Sequence, residues 1–461
     1  MEEIFEERLY TSEELIYYKE IGLCFYALKK YDTALKFLHF YEKYRSNDYS
    51  TANYLGAIYD IQNKKEQAVK YYELALKVRP SDYQIYGNLA RLYADLYSFG
   101  KREKQLYYTE TAYNLNPKDK VNIINCLLVY AKFNIVDKAQ EFWKKTLELE
   151  QSPLYLFSYG CFLIHNKNFE DGLKLYRYRM EVDNQALPGG LKQIWNPGMS
   201  LKEKHVLVTY EQGFGDTMMF IRFIKDFIPL CKKVTVLVQN ELYDLLKPNF
   251  DFDIYPAKDL SKLEYDCFVP LMDIPLLIGL KPEDVKPISY LNVSQDKIDK
   301  YTYIKKNNKF KIGICSGGSK GTLRQCRDIP IEELCRVKDL PNVEVYNFLK
   351  CDKEGMEDII PKDVIDLSFT FNSWEDTACA VKQMDLMITV DCGMLNLCGA
   401  LGVKTYGLFN EYPEFRWFDL PNSVSWYKIK PFQCKKHNEW HEVMDRVIDE
   451  IRSEFSKYNK S

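Results

Sequence analysis

Val206-Leu207-Val208-Thr209-Tyr210-Glu211-Gln212-Gly213-Phe214-Gly215-Asp216-Thr217 runs from a short apolar stretch through two closely spaced glycines. The segment Thr217–Ile228 after it has the length and apolar pattern of a helix. A short apolar run that ends at a glycine loop and is followed by a helix reads as a parallel strand, buried on both faces. The pattern recurs downstream. Val234–Val238 and Cys267–Val269 complete one set of strands. Phe310–Ile314, Val343–Tyr346, Val364–Ile365, Leu386–Val390 and Thr405–Phe409 form a second. The polar, lysine-rich stretch Ser294–Asn308 lies between the sets and reads as a hinge. The expected layout is an N-terminal lobe over 205–300 and a C-terminal lobe over 301–461. Doubly wound lobes bind ligands beyond the carboxyl ends of their strands, so the loops just after strands are where chemistry is sought.

Three such loops stand out. In Gln212–Asp216, Gly213, Phe214 and Gly215 let backbone approach a ligand, and a helix start favours an anion. Asp216 is either a helix cap or a base facing the cleft that takes a proton from an acceptor hydroxyl. The second loop, Cys315–Gly321, offers Ser316 and Gly317, then the cations Lys320, Arg324 and Arg327, as a diphosphate cradle,. The third is Asp391-Cys392-Gly393-Met394, with Asn396 two residues on, opening a helix over Met394–Leu401. Its amides would point at a phosphate or ribose; the alternative is a helix merely capped by Asp391. Leu349, shortly after the strand Val343–Tyr346, completes the set of candidate nucleotide-sugar contacts. Two other clusters read as bland. Asp251-Phe252-Asp253 reads as a solvated strand start, and Cys434-x-x-His437-x-x-x-His441 has no fourth ligand nearby,.

Upstream the period changes. Gly22 and Gly56, Phe25 and Tyr59, and Ala34 and Ala68 are each 34 residues apart. Each unit holds two amphipathic helices, with small residues where the helices approach and aromatics filling the gaps. The spacing resembles the tetratricopeptide repeat. A third unit at Tyr86, Leu89, Ala90, Tyr93, Ala112 and Pro117 carries an insertion near Ser98–Lys101. Two degenerate units follow, around Ile123, Tyr130 and Ala139, and around Tyr159, Gly160, Gly172 and Tyr176. The tyrosines read mainly as inter-helix packing, with a concave partner groove as the alternative. The repeats are drawn over 1–186. The breakers in Leu187-Pro188-Gly189-Gly190 and Asn196-Pro197-Gly198 mark a linker over 187–204.

Composition narrows the class. The chain has 461 residues, 63 Lys plus Arg and 66 Asp plus Glu, with a net charge of −3. That balance lacks the basic excess of a nucleic-acid binder. The acidic start Met1–Glu7 shows no secretory signal. The longest apolar stretch, around Cys267–Leu280, is broken by Asp273 and two prolines and is too short to span a bilayer. Thirteen cysteines, none in a Cys-x-x-Cys pair, read as reduced thiols of a cytoplasmic protein,.

The motifs taken in order resemble bacterial tetratricopeptide proteins with a heptosyltransferase-like domain. Val208–Thr217 is similar to the opening motif. Trp374-Glu375-Asp376-Thr377-Ala378 followed by Asp385–Asp391 resembles the second signature, as do Gly399-Ala400-Leu401-Gly402 and Arg416-Trp417. Phe169-Glu170-Asp171-Gly172-Leu173 with Tyr176 and Arg179 resembles the last helical segment before the linker. The resemblance implies an α + α/β chain, a helical repeat solenoid followed by a GT-B glycosyltransferase domain of two Rossmann-like lobes. It further implies a metal-independent, inverting transfer from a nucleotide sugar, ADP-heptose in the heptosyltransferases, with no other cofactor. The acceptor, protein or glycan, would be recruited by the repeats. Asp216 then falls on the catalytic aspartate and Asp391–Met394 on the phosphate signature. The final helix, Trp440–Phe455, is expected to return to the first lobe. Cys392 and Asn396 stand where the family usually has Thr and His. These departures leave a second reading: a repeat scaffold whose nucleotide-sugar domain binds without turnover.

Overall fold

The computed structural model describes residues 10–97, 100–182, 187–318, 327–349 and 360–458. The chain divides into two compact units, Met1–Gln151 and Ser152–Ser461.

The first unit is an array of helix hairpins. They are α1 (Ser12–Ala27) with α2 (Tyr31–Tyr44), α3 (Tyr49–Ile61) with α4 (Lys65–Val78), α5 (Tyr83–Tyr97) with α6 (Arg102–Leu115), and α7 (Lys120–Lys132) with α8 (Val136–Leu149). Thr11, Asp48 and Asp119 cap the first helix of their pairs by accepting from an amide three residues on,. Lys29, Asn63, Lys101 and Asn134 make the turns within the pairs at positive φ, 48° to 58°. The glycines of the repeat are there for space. A Cβ at Gly22 would come within 2.9 Å of Leu38, and one at Gly56 within 2.9 Å of Tyr72. Ala34 and Ala68 are fully buried. Several of the tyrosines serve packing, while Tyr17 and Tyr107 are exposed. Buried Tyr71 donates to Glu42 at 3.1 Å, Tyr108 to Glu73 at 2.7 Å and Tyr130 to Glu110 at 2.8 Å. Each hydroxyl thereby finds an acceptor inside the array.

The second unit opens with α9 (Pro153–His165), α10 (Phe169–Tyr176) and α11 (Arg179–Val182). The sequence grouped these helices with the repeats; their contacts group them with the α/β part. Gly160 and Gly172 let α9 and α10 touch, since a Cβ on Gly160 would meet the Tyr176 amide at 2.5 Å. Beyond them the linker lies along an outer strand: Trp195 N–H donates to Phe268 O at 2.8 Å, and Phe268 N–H to Gln193 O at 2.9 Å.

Two parallel sheets follow. The first has order β3-β2-β1-β4, with β1 His205–Thr209, β2 Lys233–Val238, β3 Asp253–Pro256 and β4 Cys267–Pro270. The second has order β10-β9-β8-β5-β6-β7. Its strands are β5 Phe310–Cys315, β6 Val343–Asn347, β7 Ile365–Asp366, β8 Leu386–Val390, β9 Thr405–Phe409 and β10 Lys430–Gln433. β10 escaped the sequence reading because it is short, holds Pro431 and lies at an edge, the place where a strand tolerates proline. The architecture is the expected α + α/β one. Between the lobes α12 (Phe214–Phe220) packs on the helix Gly393–Leu401, and one buried cluster joins Val208 and Met218 to Leu395 and Leu397.

Two expectations are corrected. The final helix, Trp440–Tyr458, does not return to the first lobe. Its apolar face (Trp440, Val443, Met444, Val447, Ile451) is buried against Ile312, Ile388 and Tyr406 of the second sheet. The return is made by the segment before β10. Arg222 Nη1 donates to Trp426 O at 2.9 Å, the Trp426 ring meets Phe220 and Phe223, and Phe415 and Phe418 meet Tyr176 and Phe169. Nor is Ser294–Asn308 an open hinge. It folds into the short helices Gln295–Ile298 and Asp299–Lys305, buries Tyr301 and Ile304, and is fastened by Lys297 to Glu375 at 2.6 Å. Its polarity belongs to one exposed face of those helices.

Candidate functional site

The two lobes face one another across a cleft of about 670 Å³ at the carboxyl ends of β1, β5 and β8. All three loops singled out from sequence contribute to it. Gly213, Phe214, Gly215, Asp216, Gly317, Arg327, Leu349, Asp391, Cys392, Gly393, Met394 and Asn396 line it. Ser316 does not; it is buried behind the wall, its carbonyl accepting from Ile329 N–H. Lys320 and Arg324 lie outside the described residues.

The root of the first loop is fixed by a buried ion cluster. Arg179 Nε and Nη2 fork onto Glu211 at 2.8 and 2.7 Å, and Nη2 also meets Asp273 at 2.9 Å. Glu211 additionally accepts from Met272 N–H at 3.0 Å, and Arg177 reaches Asp273 at 3.0 Å. The helical hairpin thus clamps the ends of β1 and β4. Directly after Glu211, Gln212 takes φ 59°, a conformation uncommon outside glycine. It turns the chain so that α12 begins at Phe214.

Asp216 is not the N-cap; it occupies the third position of α12. Its Oδ2 accepts from Gly213 N–H at 3.0 Å, the return half of a capping box,. Its other oxygen is ion-paired with Arg416, which reaches across from the second lobe. Arg416 also holds Glu414 through Nε at 2.5 Å and Nη2 at 2.6 Å. Arg327 faces Asp391 at 3.9 Å. Three carboxylates, Asp216, Asp391 and Glu414, therefore share two guanidiniums. Burial raises Asp391 above the usual carboxylate range. Burial and the nearby Asp391 push Glu414 up to about 8, against the pull of Arg327. Burial lowers the Arg416 guanidinium from its ordinary value. With one negative charge in excess, the group retains a proton well into the neutral range.

The third loop opens α15, our label for Gly393–Leu401, after α13 (Ile331–Cys335) and α14 (Trp374–Val381). Cys392, not Asp391, is its N-cap residue, and its side chain makes no capping bond. The Asp391 carboxylate is thereby left to face the cleft. Asn396 is committed to structure. Its amide donates to Cys392 O at 3.2 Å and its oxygen accepts from Tyr427 at 3.1 Å. A Cβ on Gly215 would sit 2.8 Å from that amide nitrogen, so Gly215 is there for the close approach of the two helix starts. Phe214 meets Trp374 edge-on at 5.4 Å, and Phe348 stacks on Phe371 at 5.5 Å, giving the cleft an aromatic wall.

Arg416, Glu414, Trp374 and Phe371 were missed as site residues. Arg416-Trp417 and Trp374 were visible within the resembling motifs, but nothing local tells that they face Asp216. Of the two bland clusters, Asp253 pairs with Lys233 at 3.6 Å, and His441 sits against Glu333 at 3.1 Å. Among the described residues no group of three or more His, Cys, Asp or Glu could hold a metal ion. None of the described helices is long and apolar enough to cross a membrane.

No family model matches the chain. Over 138 residues it is 26% identical to RanBP2-like and GRIP domain-containing protein 4 and 25% identical to RANBP2-like and GRIP domain-containing protein 8, both from Homo sapiens. These alignments cover 29% of the chain and only 7% of either relative's length. Among solved structures it is similar to a glycosyl transferase family 9 protein from Veillonella parvula DSM 2008, at 11% identity and a TM-score of 0.41, over 54% of this chain and 97% of that one. It is also similar to YrrB, a TPR protein with an unusual peptide-binding site, at 16% identity and a TM-score of 0.35, over 38% and 89% of the two chains.

Proposed function

We propose that the chain is a glycosyltransferase that takes a sugar from a nucleotide-sugar donor without a metal and with inversion. The observation that carries this reading is Asp216 and the α15 N-terminus facing one cleft from opposite lobes. An inverting transfer needs a carboxylate beside the acceptor hydroxyl and positive potential at the departing diphosphate. Asp216 fills the first role, since its contacts with Gly213 and Arg416 use two of its lone-pair sites and leave others for an acceptor hydroxyl,. The amides at Gly393 and Met394, with Arg327 and Arg416, fill the second. Lys320 and Arg324 are proposed to complete the cradle. An ADP-heptose-like donor follows from the family resemblance alone, as does a protein or glycan acceptor recruited by the repeats.

The test is a thermal-shift screen of the full chain against nucleotide sugars and free nucleotides, with and without chelator. A ligand at about a hundred times its dissociation constant adds roughly 2.7 kcal/mol of stability. Stabilisation by a nucleotide sugar that survives chelator supports the reading; no response across the panel sinks it. The pairing of Asp216 with Arg416 favours a second reading, a repeat scaffold that binds a nucleotide sugar without transfer. Binding without turnover of any bound donor would select it.

A further inference from the structure

Two thiols meet in the wall of this cleft. β5 and β8 are neighbouring strands, with Cys315 at the end of β5 in register with Thr389, three residues before Cys392. The side chains of Cys315 and Cys392 are neighbours across these two strands, and both line the cleft. Cys315 Sγ donates to Gly317 O at 3.4 Å, and Cys392 Sγ lies 3.4 Å from Thr389 Oγ1. Cys392 also precedes a nine-residue helix whose N-terminal dipole favours a negative sulfur,.

We propose that Cys315 and Cys392 form an oxidisable dithiol, a modification site for hydroperoxides in which Cys392 attacks and Cys315 resolves. The electrostatics divide the roles in the same way. The neighbouring Cys315 thiol and the Thr389 hydroxyl lower Cys392 from the ordinary thiol value, while Cys315 is raised. A lone pair of the Cys392 thiolate attacks an oxygen of the hydroperoxide. The O–O bond breaks, the alkoxide leaves as alcohol after taking a proton, and Cys392 becomes a sulfenic acid. Cys315 then attacks the Cys392 sulfur. The S–S bond forms, the S–O bond breaks, and hydroxide leaves with the Cys315 proton as water. Two thiols are oxidised, and one hydroperoxide is reduced to an alcohol and water. The bond ties the end of β5 to the start of α15. Its consequence for donor binding rests on the function proposed above; its chemistry does not.

The test uses the full chain with hydrogen peroxide, then alkylation and mapping of linked peptides by mass spectrometry. The expected result is a Cys315–Cys392 disulfide, a loss of two from the thirteen thiols, and reversal by dithiothreitol. Cys392→Ser removes the bond. Cys315→Ser leaves a sulfenic acid on Cys392 that dimedone traps. Linkage of Cys392 to Cys326, Cys351 or any other cysteine overturns the proposal, as does oxidation no faster than that of exposed Cys24. Nucleotide-sugar affinity is measured before and after oxidation. Absence of binding in both states removes the proposed function and leaves the dithiol standing. A disulfide with undiminished affinity overturns its effect on the donor.

Discussion

Replacing Asp216 by Asn separates the base from the brace. The side chain holds two contacts, the Gly213 amide at 3.0 Å and the Arg416 guanidinium. Asparagine keeps one acceptor oxygen and turns the other into a donor, so one contact is lost and the negative charge goes. A hydrogen bond to a charged group contributes about 1.5–3 kcal/mol. Stranding a buried partner entirely costs about 3–5 kcal/mol, but Arg416 keeps its two-pronged hold on Glu414. The expected destabilisation is therefore the smaller figure, about 1.5–3 kcal/mol, read by urea denaturation. Asparagine cannot accept a proton as a base, so transfer should fall by roughly 10²–10⁴-fold, while calorimetry shows donor affinity largely retained. Unchanged stability would refute the ion pair. A stability loss of that size with transfer intact would refute Asp216 as the base.

Arg179→Met should cost about 3–5 kcal/mol, because Glu211 loses its buried cation and Asp273 keeps only Arg177,; a denaturation midpoint that hardly moves would refute the clamp. Gly56→Val should cost about 1–3 kcal/mol by driving a side chain into Tyr72, whereas Gly189→Ala, with nothing within 4 Å, should leave the melting temperature unchanged. Glu414 binds its proton more tightly folded than unfolded. The stability it contributes is full below about 4.5 and is lost as pH rises through about 8,; Glu414→Gln should flatten that decline in a pH series of melting temperatures. Arg327→Ala should weaken nucleotide-sugar binding by about 1.5–3 kcal/mol by calorimetry, with chelator having no effect; the reverse pattern would misassign the cradle.

The fold was largely legible because its signals are local and periodic. Gly22, Gly56, Ala34 and Ala68 recur at a fixed interval because each must lie where two helices touch, and a strand buried on both faces has to be apolar along its length. What stayed hidden depends on contacts far apart in sequence. β10 looks like a loop because an edge strand needs only half its backbone partners. The amphipathic pattern of Trp440–Tyr458 says that one face is buried, not which sheet buries it. The same holds for α9–α11. Their repeat-like glycines are real packing contacts, yet Arg177 and Arg179 fasten them to β1 and β4.

The site divides along the same line. Glycine loops after strands announced themselves, and all three contribute to one cleft. Their charge balance did not, because it is set by pairs such as Asp216 with Arg416 and Asp391 with Arg327. The diphosphate cradle read from Lys320, Arg324 and Arg327 gave no sign of the carboxylate that faces Arg327. Among the described residues, Asp216, Asp391 and Glu414 outnumber the two guanidiniums beside them, so an incoming diphosphate has to compete for cations already engaged. A retained proton on the Asp391–Glu414 pair eases that competition by leaving one carboxylate neutral. On the transferase reading, donor affinity should accordingly weaken as pH rises through the neutral range. If affinity instead rises with pH, the carboxylates do not compete with the donor and the diphosphate sits elsewhere.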